Sequence, residues 1–156
     1  MVVNHKDPLY YPDMYGDVGD FHRKFGLTNF GDSGGPPALL DQSKTDGVSV
    51  LDFRVNFMQE EIDEFVMAHL EGDLAKAADA LVDLVYVALG TAHMMRVPFD
   101  ECWDAVQEAN MKKVRASGHD DPLSVRKHKL DVVKPPGWTP PNIGEIIGEI
   151  ISRYAK

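Results

Sequence analysis

QEEIDEFVMAHLEGDLAKAADALVDLVY, residues 59–86, decides how the rest of the chain is read. Gly72-Asp73 divides it into two helical segments. Before the break, Glu60, Glu61 and Glu64 fall within one and a half turns. After it, Asp79 and Asp83 are spaced i, i+4 and share one helix face. Five carboxylates on two neighbouring helices repel one another unless something compensates. A hard divalent cation such as Mg²⁺, with Mn²⁺ as a substitute, takes several carboxylate oxygens at short distance. Two helices that aim these groups at each other make a candidate metal cage. The competing reading is a solvated acidic face.

Periodicity weighs between the two. At about 100° per residue, Leu51, Val55, Met58, Ile62, Phe65 and Val66 form one apolar stripe. Phe53, Phe57 and Met67 form another on the opposite face, with Glu60 and Glu64 among them. A solvated face does not interleave carboxylates with Phe and Met. The pattern predicts a helix buried on both sides, and buried carboxylates need a cation or donors to offset desolvation. In the second segment Leu81, Leu84, Val85, Ala88 and Leu89 supply apolar surface. There Asp79 and Asp83 share a strip with Tyr86 and Gly90.

The remaining composition narrows the class. A chain of 156 residues suits one domain with its own core, and 44% hydrophobic with 26% charged residues is ordinary for a soluble protein. No run of 18 apolar residues suggests a membrane span, and the N-terminal stretch lacks the pattern of a signal peptide. Cys102 is the lone cysteine, which fits a reducing cytoplasm and a packing role. A net charge of −9 argues against duplex nucleic acid as a partner. Yet seven of the sixteen Lys and Arg residues lie between 112 and 134, where they can meet a small polyanion.

Along the chain, residues 1–16 read as irregular. Asp17 is placed as the cap of a short helix ended by Gly26, followed by a long Gly/Pro/Ser/Asp loop to residue 49. Residues 31–36, GDSGGP, resemble the stretch around the nucleophilic serine of chymotrypsin-like proteases. Only thirty residues precede it, so the upstream His and Asp of that triad have no room, and Ser33 is read as an ordinary hydroxyl. Ser49 and Gly72 bracket a helix over about 50–70, and Asp73 caps one over about 73–95. Pro98 or Asp100 opens a third to about 115, with Phe99, Trp103, Val106 and Met111 expected in the core. A basic, Pro-rich stretch over 116–141 leads to a last helix from a capping-box-like Asn142–Glu145. No segment reads as a strand. The expected fold is an all-α bundle of about five helices, one domain over 1–156 with its core at about 50–115.

EEIDE at 60–64 resembles the EExxE motif of the MazG-like, all-α NTP pyrophosphohydrolases, a superfamily that includes phosphoribosyl-ATP pyrophosphohydrolases. DALVDLVYVALGTA at 79–92 looks like the family's second helix, which carries an ExxD pair. EANMKK at 108–113 and KPPGWTPPNI at 134–143 resemble segments of the dUTPase-like branch, and FHRKFG at 21–26 adds to the likeness. One position departs: Ala80 stands three before Asp83, where many relatives have Glu, while Asp79 offers a carboxylate one residue earlier.

The resemblance implies hydrolysis of a nucleoside triphosphate between the α- and β-phosphates. Related small enzymes occur in bacteria and phages, some hydrolysing dGTP. It also implies dimers or tetramers. On this reading Glu61, Glu64 and Asp83 hold the metal with Asp79 as a fourth ligand. Glu60 shares an ion or takes the proton of the attacking water. Asn110, Lys113, Lys129 and Lys134 are candidates for gripping phosphates. Arg54 can pair with a carboxylate or a phosphate, Phe21 and His22 can line a base pocket, and Trp138 is either a lid or a packing anchor. Two other readings compete. One is a non-catalytic helical interaction module. The other is a di-iron bundle, which fails for want of a Glu-x-x-His motif.

Overall fold

The computed structural model describes residues 12–28 and 35–156. Two compact units are distinguished, Met1–Val97 and Pro98–Lys156. Ser33 lies outside the described residues. Five helices and one two-stranded ribbon make the described fold mostly helical, as the periodicity predicts. Among the described residues no helix is long and apolar enough to cross a membrane.

The first unit holds α1 (Met14–Lys24), α2 (Val50–Glu71) and α3 (Leu74–Met94). Helix α1 starts a turn earlier than Asp17 predicts. Asp13 is its cap, accepting from the Gly16 N–H at 2.8 Å, and Asp17 sits in the first turn, where the helix dipole favours an acid. The caps of α2 are those expected. Ser49 Oγ accepts from the Asp52 N–H at 2.9 Å, the Asp52 carboxylate accepts from the Ser49 N–H at 3.4 Å, and Gly72 closes the helix at φ +71°. Asp73 caps α3 through the Lys76 N–H at 3.0 Å.

The buried line of α2 differs from both predicted stripes. It runs Arg54, Glu61, Ala68, at intervals of seven residues, whereas Val55, Ile62 and Val66 on one side and Phe53 and Met67 on the other are exposed. Helix α2 packs on α3, whose buried face is Ala77, Ala80, Val87, Leu89, Gly90 and Ala92. Alanine and glycine dominate this seam because two helices approach closely only where side chains are short. Ala80, the departure from the ExxD pattern, is 3% exposed and part of this packing. On the other side of α3 lies α1, burying Val18, Gly19 and His22. Tyr15 stacks on His93 at 3.8 Å, and His93 Nε2 hydrogen-bonds the Tyr15 carbonyl at 2.7 Å.

The second unit contains α4 (Phe99–Met111), β1 (Val114–Arg115), β2 (Val132–Val133) and α5 (Ile143–Tyr154). Helix α4 buries Cys102 and Ala109, whereas Trp103 and Met111, expected in the core, are 58% and 74% exposed. Burial raises the Cys102 thiol pKa, which fits packing rather than reactivity. The antiparallel ribbon pairs Val114 with Val133 and Arg115 with Val132, where no strand is predicted. Two residues per strand carry no readable period, and the ribbon owes its register to the loop between its strands. In that loop Asp131 accepts from Ser124 Oγ at 2.8 Å, from Arg126 Nη1 at 2.7 Å and from the Val132 N–H at 2.9 Å. Those donors pull its pKa down to about 2. Asp121 ties the loop's other end by accepting from Ser117 and the Leu123 N–H. The expected capping box at Asn142 is absent: its amide donates to the Glu145 carboxylate at 3.3 Å and caps no backbone N–H.

Candidate active site

A cleft of about 400 Å³ opens in the first unit, lined by Phe21, His22, Leu27, Arg54, Phe57, Glu61, Asp83, Tyr86 and Val87. Helical spacing places these side chains. Arg54, Phe57 and Glu61 are i, i+3, i+7 on α2, and Asp83, Tyr86 and Val87 are i, i+3, i+4 on α3. Helix α1 contributes Phe21 and His22. Two acids from different helices therefore share one cavity with an arginine, a histidine and three aromatic rings.

Glu61 is the centre of the acidic group. It is 7% exposed, whereas Glu60, Glu64, Asp79 and Asp83 are exposed. Burial pushes the Glu61 carboxyl above its ordinary pKa, and Glu64, Asp83, Glu60 and Asp79, in falling order, push it further. All five predicted carboxylates thus act on one site. No ion pair among the described residues includes any of the five. They do not stand as the finished cage that the sequence suggests. Among the described residues no three His, Cys, Asp or Glu side chains converge in a metal-holding arrangement. Their donor chemistry nevertheless suits a hard cation: oxygen ligands only, one of them buried and repelled by the rest.

Arg54 pairs with no carboxylate among the described ion pairs. It is 5% exposed, with Nε donating to Thr91 Oγ1 at 3.1 Å and Nη2 donating to the Val87 carbonyl at 2.7 Å. Its guanidinium also lies near the Phe53 and Phe57 rings, 5.8 and 5.4 Å from their centroids. His22 is 3% exposed, and its Nδ1 is buried without a hydrogen-bond partner among the described residues. Burial, Arg54 and then His93 lower the His22 pKa, which favours the neutral ring. Gly90 makes room for both groups, since a Cβ there would stand 2.4 Å from His22 Nε2 and 3.2 Å from Arg54 Nη2. Phe21 meets Tyr86 edge to face at 5.4 Å and forms a wall.

The remaining predicted site residues belong to the second unit. Lys113 and Lys134 both stand over the Trp138 ring, 5.7 and 4.6 Å from its centroid. The Trp138 indole N–H donates to the Ala109 carbonyl at 2.8 Å, so this side chain is anchored by packing within its unit. Asn110 and Lys129 are exposed. Phe57, Tyr86 and Thr91 were not anticipated as site residues. Tyr86 was legible as part of the Asp79–Asp83 strip, while Phe57 read as a second apolar stripe and Thr91 carries no sequence signal.

Residues 37–110 match the family model of phosphoribosyl-ATP pyrophosphohydrolase. No functionally curated protein matches the chain at a significant level. The matched stretch spans α2, α3 and nearly all of α4, and so includes Arg54, Phe57, Glu61, Asp83 and Tyr86 but not Phe21 or His22. The family's activity, nucleotide pyrophosphohydrolysis, is assigned to this chain in that general form. Residues 37–110 are a phosphoribosyl-ATP pyrophosphohydrolase domain, one of the MazG-like, all-α NTP pyrophosphohydrolase superfamily.

Proposed function

We propose that the protein hydrolyses a deoxynucleoside triphosphate between the α- and β-phosphates, with Mg²⁺ or Mn²⁺, as a control on the nucleotide pool. The single observation behind this is the cleft that sets Glu61 and Asp83 beside an aromatic and cationic pocket. Glu61, Glu64 and Asp83 are assigned to hold the ion, with Asp79 next to them and Glu60 at the edge to share it or to take a proton from water. A divalent cation bound there supplies charge neutralisation on phosphate oxygens and a lowered pKa for bound water. Phe21, Phe57 and Tyr86 pack the base and keep water from that end of the cleft. In the second unit, Lys113 and Lys134 have no acidic partner among the described ion pairs, which leaves their charges available to an anion. dUTP and dGTP are the leading substrates, in the cytoplasm of a bacterium or of a phage-infected host.

Pyrophosphate release should be measured over the common dNTPs and NTPs and phosphoribosyl-ATP, with Mg²⁺, with Mn²⁺ and with EDTA. Turnover of a dNTP with either metal and none with EDTA is expected. Undiminished turnover in a rigorously metal-free sample would remove the ion from the reading. Cleavage of phosphoribosyl-ATP alone would move the substrate to the one in the family's name. No turnover at all would leave an interaction module.

We also propose that the chain works as a homo-oligomer. Phe53, Val55, Ile62, Val66 and Met67 leave apolar surface on two sides of α2 in the single chain, and two-fold pairing is the commonest way to cover such a helix. Light scattering at micromolar protein should return at least twice the 17.4 kDa chain mass. A monomer with full activity would overturn this.

A further inference from the structure

The cleft has two chemically different ends. Arg54 precedes Glu61 by two helical turns, which separates them by about 10 Å along α2. The acidic end suits metal and phosphate. The Arg54 end is left for the far edge of the base.

The way Arg54 is held limits what it can read. Nε and Nη2 both donate within the protein, to Thr91 Oγ1 and the Val87 carbonyl. These two bonds consume the side edge of the guanidinium and lock its plane. The end edge, formed by Nη1 and the second hydrogen of Nη2, has no protein acceptor among the described hydrogen bonds. Two parallel N–H donors on a fixed plane match two adjacent acceptors. In the same cleft, the buried Nδ1 of His22 also lacks a partner among the described residues. A buried polar atom left unsatisfied in a cleft that Arg54 also lines points to a polar ligand edge that completes it.

Bases differ in what they offer. Guanine presents O6 and N7 as adjacent acceptors, the pair that arginine reads bidentately. Adenine places an amino donor beside N7, and uracil and thymine have an N–H between their two carbonyls. Cytosine has adjacent acceptors at N3 and O2, but that edge lies closer to the sugar, while the two-turn separation favours the longer reach of a purine. We propose, building on the pyrophosphohydrolase reading above, that the free Nη1–Nη2 edge of Arg54 is the specificity determinant and selects guanine through O6 and N7.

The test compares kcat/KM for dGTP, dCTP, dUTP, dATP and 7-deaza-dGTP, whose N7 is replaced by C–H, on wild type and Arg54→Lys. Wild type should prefer dGTP and cleave 7-deaza-dGTP roughly 10- to 100-fold less efficiently. Arg54→Lys keeps the charge but loses the paired donors, so dGTP and 7-deaza-dGTP should become nearly equal. A structural role for Arg54 would lower both substrates alike and leave their ratio unchanged. The wild-type comparison needs no variant, so a poorly folded Arg54→Lys does not shield the proposal. Equal wild-type turnover of dGTP and 7-deaza-dGTP, or a preference for another base, overturns the base readout and leaves the hydrolase reading standing. No turnover of any nucleotide overturns both.

Discussion

Glu61→Gln is expected to abolish hydrolysis while leaving the fold intact, and Asp83→Asn to do the same. Glu61 is the one acid of the group that is buried, and it lines the cleft with Asp83. Losing a charge that organises a developing phosphate transition state costs on the order of 100-fold or more in kcat. Stability should move the other way. The carboxyl of Glu61 sits above its ordinary pKa through burial and then through Glu64, Asp83, Glu60 and Asp79. An acid whose pKa is raised on folding keeps its proton in the native state over a window where the unfolded chain has released it. The native state then binds more protons, so stability falls as pH rises from the ordinary carboxylate range through the raised value. Metal-free wild type should show this decline. Metal-free Glu61→Gln should lack the Glu61 part of it, and should be no less stable than wild type at neutral pH. Denaturant unfolding at a series of pH values, followed by helical CD, reads both effects. A collapsed helical signal in Glu61→Gln would make this residue structural rather than catalytic.

Gly90→Ala should damage the cleft out of proportion to one methyl group. In an unconstrained helix interior the change stabilises by about 1 kcal/mol, because alanine loses less conformational freedom on folding. At Gly90 the new Cβ would stand 2.4 Å from His22 Nε2, and the ring it meets is itself buried. Overpacking of this kind costs about 1–3 kcal/mol, enough to cancel or reverse the propensity gain. His22 and Arg54 must shift, so KM for the nucleotide should rise. Gly148→Ala is the internal control: that residue lies within α5, and an added Cβ meets nothing within 4 Å. Thermal unfolding should show Gly148→Ala stabilised and Gly90→Ala not. Equal stabilisation of both, with unchanged KM, would mean that the His22 ring moves aside freely.

Much of this molecule is legible from local chemistry. Ser49, Gly72 and Asp73 mark helix ends because each cap satisfies backbone groups a few residues away, and such bonds need no tertiary partner. The acidic pattern over 60–83 is equally local, since i, i+4 spacing puts carboxylates on one face wherever a helix forms. Phe21 and His22 in the cleft follow from the family resemblance rather than from spacing. The errors share one cause: a stripe of apolar residues tells which faces could be buried, not which neighbour covers them. Helix α2 buries Arg54, Glu61 and Ala68 while its Phe and Val residues stay exposed in the single chain. Trp103 is likewise outside the core that its spacing suggests.

What the sequence by itself determined is the helical class, the caps and the identity of the five acids, because these depend on residue type and separation along the chain. Only the tertiary structure decided which acid is buried, that Ala80 belongs to a tight helix seam, and that Arg54 is held by Thr91 and the Val87 carbonyl. Those outcomes depend on how closely α2, α3 and α1 approach one another. That approach is governed by small residues at positions 68, 77, 80 and 90, whose effect is felt only when the partner helix is in place.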